Sequence, residues 1–376
     1  MKILYVTTVS VTMGFFPAHI QMLQDEGHTV ELACNLDDPL PEKVAELGCT
    51  THHIPFSRFP LRGENVKAYR ELKKLLSEQH YDIVHTHTPN ASAIVRLACR
   101  PLRKQGIKVF YTAHGFHFYD GAPLKNWLMF YPVEKFLSRW TDVLITINHE
   151  DYRRAQEKFR AQKTVYIPGV GLDTERFSFA YSEEEWAEKR MELGVPEDAI
   201  LLISVGELNQ NKNHGVVIRA IAKLENPNIH YCIAGVGPLC EELKQISADL
   251  GVSQQIHLLG YRDDVPQIYH AADICCFPSI REGLGLAALE GMACGLPVIA
   301  ADNRGTRDYL VRGVNGFLCK PNDVDGFARA IEAMIESPEQ REKLGRYNRG
   351  AVDAFSTERV LCALQDVYGR ICDMGS

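Results

Sequence analysis

Short runs of consecutive apolar residues alternate along this chain with longer segments in which apolar positions recur every three or four residues. The first pattern is typical of strands buried on both faces of a sheet, and the second of amphipathic helices. Over the first half it predicts strands at 2–8, 29–34, 81–86, 109–113, 143–147 and 164–167, and helices at 18–27, 42–47, 66–76, 91–102 and 124–140. This alternation predicts a doubly wound parallel sheet.

A second series of the same kind follows Pro168-Gly169-Val170-Gly171, a sequence typical of a linker. It predicts strands at 200–205, 229–234, 256–259, 274–277, 297–301 and 317–319, and helices at 214–224, 238–249, 265–271, 285–294, 324–336 and 338–349. A last helix at 357–371 has no strand of its own. We therefore predict two α/β domains, each large enough for a full core.

Composition and charge narrow the class of protein. The 376 residues carry a net charge of −7, which argues against a general nucleic-acid-binding protein. The 11 cysteines show no paired spacing, so we expect reduced thiols in a cytoplasmic protein. No apolar run is long enough to span a membrane, and we interpret the start MKILYVTTV as a first strand rather than a signal peptide.

The segment 273–302 carries the most specific chemical signal. A predicted strand, a turn with Gly283 and Gly285 and a helix follow one another, so a phosphate can approach the unpaired amides at the helix start. Glu282 precedes the turn. Glu290 lies roughly 7–8 Å further along the helix axis than the helix start, where its carboxylate could bind a ribose diol while the phosphates stay at the helix start. Either glutamate alone is explained as an ordinary helix or surface acid. The pair, with the glycines, favours a nucleotide-sugar site.

A resemblance to the retaining GT-B glycosyltransferases of family four is carried by Pro278-Ser279, Glu282-Gly283, Glu290 and Gly295-Leu296-Pro297-Val298-Ile299-Ala300. Three further features, His114-Gly115-Phe116-His117-Phe118, the Glu207 loop and Arg281-Glu282-Gly283, look most like transferases of bacterial capsule and exopolysaccharide assembly.

The resemblance covers nearly the whole chain. It implies a GT-B fold, an α/β architecture of two Rossmann-like doubly wound parallel-sheet domains facing across a cleft. The acceptor would bind in 1–170 and the nucleotide sugar in 171–355. A C-terminal helix at 356–374 would pack back on the first domain.

The same resemblance implies roles for individual residues. Lys212 would neutralise the donor diphosphate, Glu282 would hold the donor sugar, Glu290 the ribose, and His114 the sugar or the charge that develops on it. The predicted catalytic residues are thus His114, Glu282 and Lys212. The predicted nucleotide-sugar-binding residues are Gly14, Glu207, Lys212, Gly235, Tyr261, Arg281, Glu282, Gly283, Leu284, Gly285, Leu286 and Glu290.

Some of these positions depart from the family pattern or have a second explanation. Glu207 stands where relatives have an arginine, and Arg281 is the candidate to replace that charge, oriented by Glu207. Gly14 is the one glycine of a first loop in which relatives often have two. The turn at Gly235 lacks the third glycine of a dinucleotide site. Tyr261 either stacks on the base or packs against its own domain.

No metal or cofactor is predicted. His85 and His87 share one face of a strand, but no third ligand is spaced with them, so we interpret them as packing or lining residues. The acids Asp323 and Asp325 resemble a metal-binding pair, yet they lie at a helix start, where capping explains them. No Ser-His-Asp arrangement is present to supply a nucleophile.

The predicted partners are a UDP-sugar donor and a sugar acceptor, which the resemblance implies is linked to a polyprenyl diphosphate at the cytoplasmic membrane face. From residue 96 to 139 there are eight bases and two acids, a charge of 8 − 2 = +6. The basic, aromatic stretch 123–140 is explained equally by an anionic membrane surface or by a helix packed inside its domain.

Three other functions fit parts of the sequence. A UDP-sugar 2-epimerase shares the two-domain architecture and would need no acceptor. For a non-enzymatic two-lobed sugar-binding protein we would expect an export signal, and the sequence shows none. For a Rossmann oxidoreductase we would expect a third glycine in the turn at Gly235, where the sequence has Cys240. Fold alone does not separate these functions.

Overall fold

The computed structural model of the protein describes residues 1–60, 62–179 and 182–372. The chain divides into two compact units. The first unit contains Met1–Gly171 and the chain from Thr357 onward, and the second unit is Leu172–Ser356. The division falls at the end of the predicted linker. Of the helix predicted at 356–374, positions 373 and 374 lie outside the described residues.

The first unit is built on a seven-stranded sheet with the order β3-β2-β1-β4-β5-β6-β7, paired in parallel throughout. Its strands are β1 Lys2–Val9, β2 Thr29–Asn35, β3 Thr51–His53, β4 Ile83–Thr86, β5 Lys108–Ala113, β6 Val143–Thr146 and β7 Lys163–Tyr166. Its helices are α1 Pro17–Asp25, α2 Glu42–Ala45, α3 Glu64–Glu78, α4 Pro89–Cys99, α5 Leu124–Leu137 and α6 His149–Lys158. The strand order reverses between β1 and β4, the position at which doubly wound folds hold ligands.

The second unit has a six-stranded parallel sheet with the order β10-β9-β8-β11-β12-β13. Its strands are β8 Ile200–Val205, β9 Ile229–Ala234, β10 Ile256–Gly260, β11 Ile274–Phe277, β12 Val298–Ala301 and β13 Gly316–Cys319. Its helices are α7 Glu183–Glu192, α8 His214–Leu224, α9 Cys240–Asp249, α10 Val265–Ala271, α11 Leu286–Ala293, α12 Val324–Glu336 and α13 Pro338–Ala351. Both predicted sheets are confirmed.

Helix α14 (Thr357–Cys372) belongs to the first unit although it follows the second in sequence. Its Tyr368 is buried, and the hydroxyl lies 2.5 Å from Nδ1 of His85, at the end of β4. Tyr368 also packs on Phe110 of β5, with ring centroids 5.2 Å apart. The helix thus completes the core of the first unit.

The described helices are too short or too polar to cross a membrane. Helix α5 is the most unusual of them, because both of its sides carry large apolar residues. Trp127, Phe130 and Tyr131 pack against the cluster around Phe116 and Phe118. The opposite side exposes Leu124, Leu128, Met129, Val133 and Phe136, with exposed fractions of 48% to 71%. The packing explanation for the segment 123–140 therefore accounts for one side only.

Candidate active site

Two loops of the second unit, those after β8 and β11, carry several of the predicted donor residues, and hydrogen bonds join the two loops. The loop after β8 contains Asn211, whose Nδ2 donates to the carbonyl oxygen of Arg281 at 2.9 Å. In return the amide of Ile280 donates to the Asn211 carbonyl oxygen at 2.8 Å. Asn213 adds a bond from its Nδ2 to the Pro278 carbonyl oxygen at 3.3 Å. Since β8 and β11 are neighbours in the sheet, these bonds align the two strand ends.

This alignment brings together two of the residues singled out in the sequence. Nζ of Lys212 lies 2.8 Å from Oε1 of Glu282, and the side chains remain 22% and 17% exposed. The ammonium group also lies 5.4 Å from the centre of the Phe277 ring. Gly206 leaves room for the lysine stem, because a Cβ there would lie 3.2 Å from Lys212 Cε. A cation and a carboxylate thus share one half-buried position at the edge of the sheet.

Helix α11 begins directly beside this ion pair. Gly285, the residue before the helix, has a φ of 101°, and a Cβ there would lie 2.6 Å from the Phe277 ring. Only glycine meets both conditions. The first amides of a helix have no partner within the helix, and the dipole makes its start positive. Lys212, although paired with Glu282, and the start of α11 therefore place two groups that attract anions at one edge of the sheet, an arrangement suited to a diphosphate.

Glu290 lies further along α11 and is half-buried. Its nearest donor is the hydroxyl of Tyr269, 3.5 Å from Oε2, but that hydroxyl gives its proton to the Ala287 carbonyl oxygen at 2.6 Å. Burial raises the pKa of Glu290, and the charge of Arg176, the hydrogen bond from Tyr269 and the charge of Lys212 oppose that rise. The carboxylate is left with acceptor capacity that the described residues do not use, which is what a pair of ribose hydroxyls requires.

Two residues that the sequence reasoning missed support the Glu282 loop. Arg304, only 4% exposed, donates from Nε to the Glu282 carbonyl oxygen at 3.1 Å. Asn303 donates from Nδ2 to the Ser279 carbonyl oxygen at 2.8 Å, and its Oδ1 accepts the amide of Gly305. Both residues follow β12, and their hydrogen bonds join the loop after β12 to the loop after β11. A polar run directly after a buried strand was the available signal.

The other predicted donor residues fall into different environments. Gly235 is required by packing, because a Cβ there would lie 2.0 Å from the Gly206 carbonyl oxygen. Tyr261 is 74% exposed, so the packing explanation is wrong and stacking on a base stays a prediction. Leu284 is buried at 5% exposure, and Leu286 is half-buried.

The proposed partnership between Glu207 and Arg281 is absent. Oε2 of Glu207 accepts instead from Nδ2 of Asn209 at 2.8 Å, and no ion pair joins the two charged residues, both of which lie in the described chain. Gly14 is exposed in a short 3-10 helix at 10–15 rather than in an open loop. A Cβ there would lie 3.3 Å from Cγ of Pro41.

Asp323 and Asp325 are explained by structure. Oδ1 of Asp323 accepts the amide of Gly326 at 2.8 Å and caps α12, as expected, while Asp325 pairs with Lys223. Capping is thus confirmed for Asp323, whereas Asp325 forms an ion pair and takes no part in the cap.

In the first unit, His114 follows β5 and lies in a cluster of aromatic rings at the strand ends. Its Nε2 is 3.2 Å from Nδ1 of His87, and the two rings are stacked with centroids 5.5 Å apart. His87 also stacks on Tyr5 and packs on Phe16, each at 4.3 Å. His85 lies 4.2 Å from His87, which confirms that the two share a face.

The histidines of this cluster are held neutral. Burial lowers the pKa of His114 to about 4, and it lowers the pKa values of His85 and His87 well below the ordinary range. His19, whose Nε2 lies 2.8 Å from the Val170 carbonyl oxygen, has its pKa lowered by burial to about 4. Within the described residues no group of three or more His, Cys, Asp or Glu is arranged to hold a metal ion.

Comparison with known proteins identifies the family. Residues 186–351 match the family described as Glycosyl transferases group 1, and residues 19–169 match the family described as Glycosyl transferase 4-like domain. A protein of Bacillus subtilis (strain 168) named "Putative glycosyltransferase EpsD" is 41% identical over 377 residues, covering 99% of this chain and 97% of the relative. The chain belongs to the group 1, GT4-like glycosyltransferases, and it is an enzyme.

A second relative and a solved structure extend the comparison. The Escherichia coli UDP-Gal:alpha-D-GlcNAc-diphosphoundecaprenol alpha-1,3-galactosyltransferase is 28% identical over 379 residues, covering 98% of this chain and 96% of that protein. The crystal structure of Anabaena Alr3699/HepE in complex with UDP-glucose aligns with a TM-score of 0.82 at 21% identity, over 98% of this chain and 100% of the other. The predicted GT-B fold, with two parallel-sheet α/β domains, is confirmed.

Proposed function

We propose that the enzyme transfers a hexose or N-acetylhexosamine from a UDP-sugar to a sugar acceptor, with retention of configuration and without a metal ion. The observation that carries the proposal is the ion pair between Lys212 and Glu282 at the start of α11, with the carboxylate of Glu290 on the same helix, whose one hydrogen bond from a described residue is the long contact with Tyr269. Lys212 and the helix amides bind the diphosphate, Glu282 binds the donor sugar, and Glu290 binds the ribose.

Two considerations support the donor and the acceptor that we propose. The name of the Escherichia coli relative describes a UDP-galactose donor and a sugar on diphosphoundecaprenol as acceptor, and the match spans almost the full length of both chains. A sugar carried on a polyprenyl diphosphate belongs to the assembly of cell-surface polysaccharides, the setting already suggested by the sequence.

In the proposed mechanism, Lys212 and the amides of α11 lie next to the phosphate of the sugar–phosphate bond that breaks. As the sugar–phosphate bond lengthens, negative charge grows on the UDP phosphate, and Lys212 with the amides of α11 stabilises it without a metal. The departing phosphate accepts the proton of the acceptor hydroxyl on the same face of the sugar, so the configuration is retained. Contact of His114 with the sugar stays a prediction.

We further propose that the enzyme works at the cytoplasmic face of the membrane and docks there through α5. Two exposed bases, Lys125 and Lys135, lie on this helix, the exposed Arg139 follows its last turn, and the exposed Arg100 lies over the ring of Trp140 next to it. An exposed apolar stripe beside cations complements a bilayer that contains anionic lipids. A lipid-linked acceptor would be presented at that surface, and vesicle sedimentation tests the docking.

Thermal melting with UDP, GDP, ADP and NAD tests the donor site. Binding to the folded state at 100 times the dissociation constant adds about 2.7 kcal/mol, which raises Tm by roughly 5 °C or more for a unit of this size. We expect UDP alone to produce this shift in the wild type, and Glu290→Ala to lose it, because the ribose then has no acceptor.

Glu241→Ala is the matched control, since Glu241 lies in the first turn of α9 and its side chain is 84% exposed. This variant should keep the full UDP shift. A shift with NAD and with none of the nucleoside diphosphates would contradict the proposal and would favour an oxidoreductase.

A further inference from the structure

The contact between His87 and His114 joins the ends of two neighbouring strands, β4 and β5. His87 Nδ1 and His114 Nε2 are 3.2 Å apart, which is a hydrogen-bond distance for two ring nitrogens. Burial lowers the pKa values of both rings, so each is neutral and carries a single N–H. One ring must donate and the other must accept.

The surroundings of His87 decide which ring donates. His87 is 2% exposed, and its Nε2 is buried without a hydrogen-bond partner among the described residues. If Nε2 carried the proton, a buried N–H would lack an acceptor, at a cost of about 1–3 kcal/mol. Orphaned buried N–H groups are rarer than under-used acceptors. The proton therefore lies on Nδ1 of His87, and Nε2 of His114 accepts it.

The ring of His87 is held in the orientation that this hydrogen bond needs. Its backbone amide donates to the Val6 carbonyl oxygen at 3.0 Å, which fixes the start of the side chain. The ring lies against Tyr5 and Phe16 at 4.3 Å and against His85 at 4.2 Å. Close-packed rings leave no space for the imidazole to turn over.

The tautomer of His114 determines what it offers to a ligand. His114 is half-buried, and no described residue bonds its Nδ1. When Nε2 accepts from His87, the proton of His114 must lie on Nδ1, which becomes a donor. The opposite tautomer would present a lone pair at Nδ1, and His114 could then act as a base.

We propose that His87 is a positioning residue, which holds His114 in its Nδ1–H tautomer so that His114 donates a hydrogen bond to a sugar oxygen and does not remove a proton. The sugar as ligand rests on the proposed function, whereas the tautomer does not. This arrangement leaves the proton of the acceptor hydroxyl to the departing phosphate.

Nitrogen-15 NMR of histidine-labelled enzyme, without any ligand, reads the tautomer directly. The His114 signals are assigned as those missing from the spectrum of His114→Gln. We expect the wild type to show a protonated Nδ1 and an unprotonated Nε2 on His114. A protonated Nε2 on His114 would overturn the inference, whatever the activity of the enzyme.

Two substitutions of His87 separate hydrogen bonding from packing. In His87→Asn, the amide Nδ2 replaces the ring Nδ1 and keeps a donor toward His114, whereas His87→Phe keeps an aromatic ring and removes the donor. We expect His87→Phe to lower kcat by about 10-fold or more, by analogy with the loss of a hydrogen bond that orients a metal-binding histidine, and His87→Asn to recover most of it. His80→Asn, at an exposed position, should change nothing.

The test of the tautomer can be distinguished from the test of the proposed function, even if a variant does not fold. The wild-type spectrum alone decides the tautomer, so misfolding of His87→Phe leaves the inference falsifiable. Loss of activity in both folded variants would overturn the role of the hydrogen bond. An Nδ1–H tautomer in an enzyme that transfers no sugar would uphold the tautomer and reject the proposed function.

Discussion

Replacing Lys212 with alanine is expected to lower kcat/KM for sugar transfer by about 10²- to 10³-fold, the effect of removing one preorganised group that stabilises a developing charge. The lysine is positioned by its ion pair with Glu282 and by the hydrogen bond from its amide to Asn209 Oδ1 at 3.0 Å. The loss should appear in kcat as well as in KM, because the phosphate charge grows as the bond breaks. Initial rates at varied UDP-sugar concentration measure both.

Lys223→Ala is the matched control for this prediction. Lys223 lies on α8, the helix that follows Lys212, and it also pairs with a carboxylate, that of Asp325. Its side chain is 57% exposed, so its removal should leave both activity and Tm close to those of the wild type. If Lys212→Ala and Lys223→Ala retained the same activity, the donor site would lie elsewhere.

Reversing two charges beside α5 is expected to release the enzyme from anionic vesicles. Lys135 and Arg139 are exposed and lie over the rings of Tyr131 and Phe136, within the face proposed to dock. Each base near an anionic surface contributes about 1 kcal/mol, so Lys135→Glu with Arg139→Glu should weaken binding by about 30-fold or more. Co-sedimentation with vesicles of anionic and of neutral lipids measures the change.

The matched control makes the same change of net charge on another surface of the same unit. Lys67→Glu with Lys74→Glu alters α3, where both side chains are at least 70% exposed. This variant should still bind anionic vesicles, and raised salt should weaken that binding. Equal release of the two double variants, or equal binding to neutral vesicles, would reject docking through α5.

The hydrophobic pattern predicts most of the fold because both sheets are parallel and their strands are buried on both faces. The elements that the hydrophobic pattern does not predict are those with little apolar surface. Strand β3 has three residues, two of them histidine, and α6 contributes one buried apolar residue, Ala155. Helix α7 is largely charged, yet Ser182 and Glu185 form a capping box that a local reading can detect.

The candidate donor site is predictable to the extent that its residues are close together in sequence. Glu282, Gly285 and Glu290 follow one another on a turn and a helix, so their spacing already specifies their placement. Arg304 is not predictable in this way, because its role depends on a contact with a loop 22 residues earlier in the chain. The pairing of His87 with His114 depends likewise on the register of β4 against β5.

Charge counting along the sequence overstates the basic surface of the first unit. Arg96 is 1% exposed and pairs with Glu134 at 2.8 Å, and Arg103 pairs with Asp142 at 2.7 Å. The charges of both arginines are neutralised by carboxylates within the first unit, and a sum of charges along the sequence does not show this. Six of the eight bases are therefore exposed: Arg100, Lys104, Lys108, Lys125, Lys135 and Arg139.

The most direct test of the proposed function is sugar transfer itself, measured with purified enzyme, UDP-hexoses or UDP-N-acetylhexosamines, and a polyprenyl-diphosphate-linked sugar in the presence of EDTA. We predict acceptor-dependent release of UDP and a product whose new linkage has the anomeric configuration of the donor. Conversion of one UDP-sugar into another without acceptor would contradict the proposal and favour the epimerase. An inverted product, or activity abolished by EDTA, would contradict the proposed mechanism.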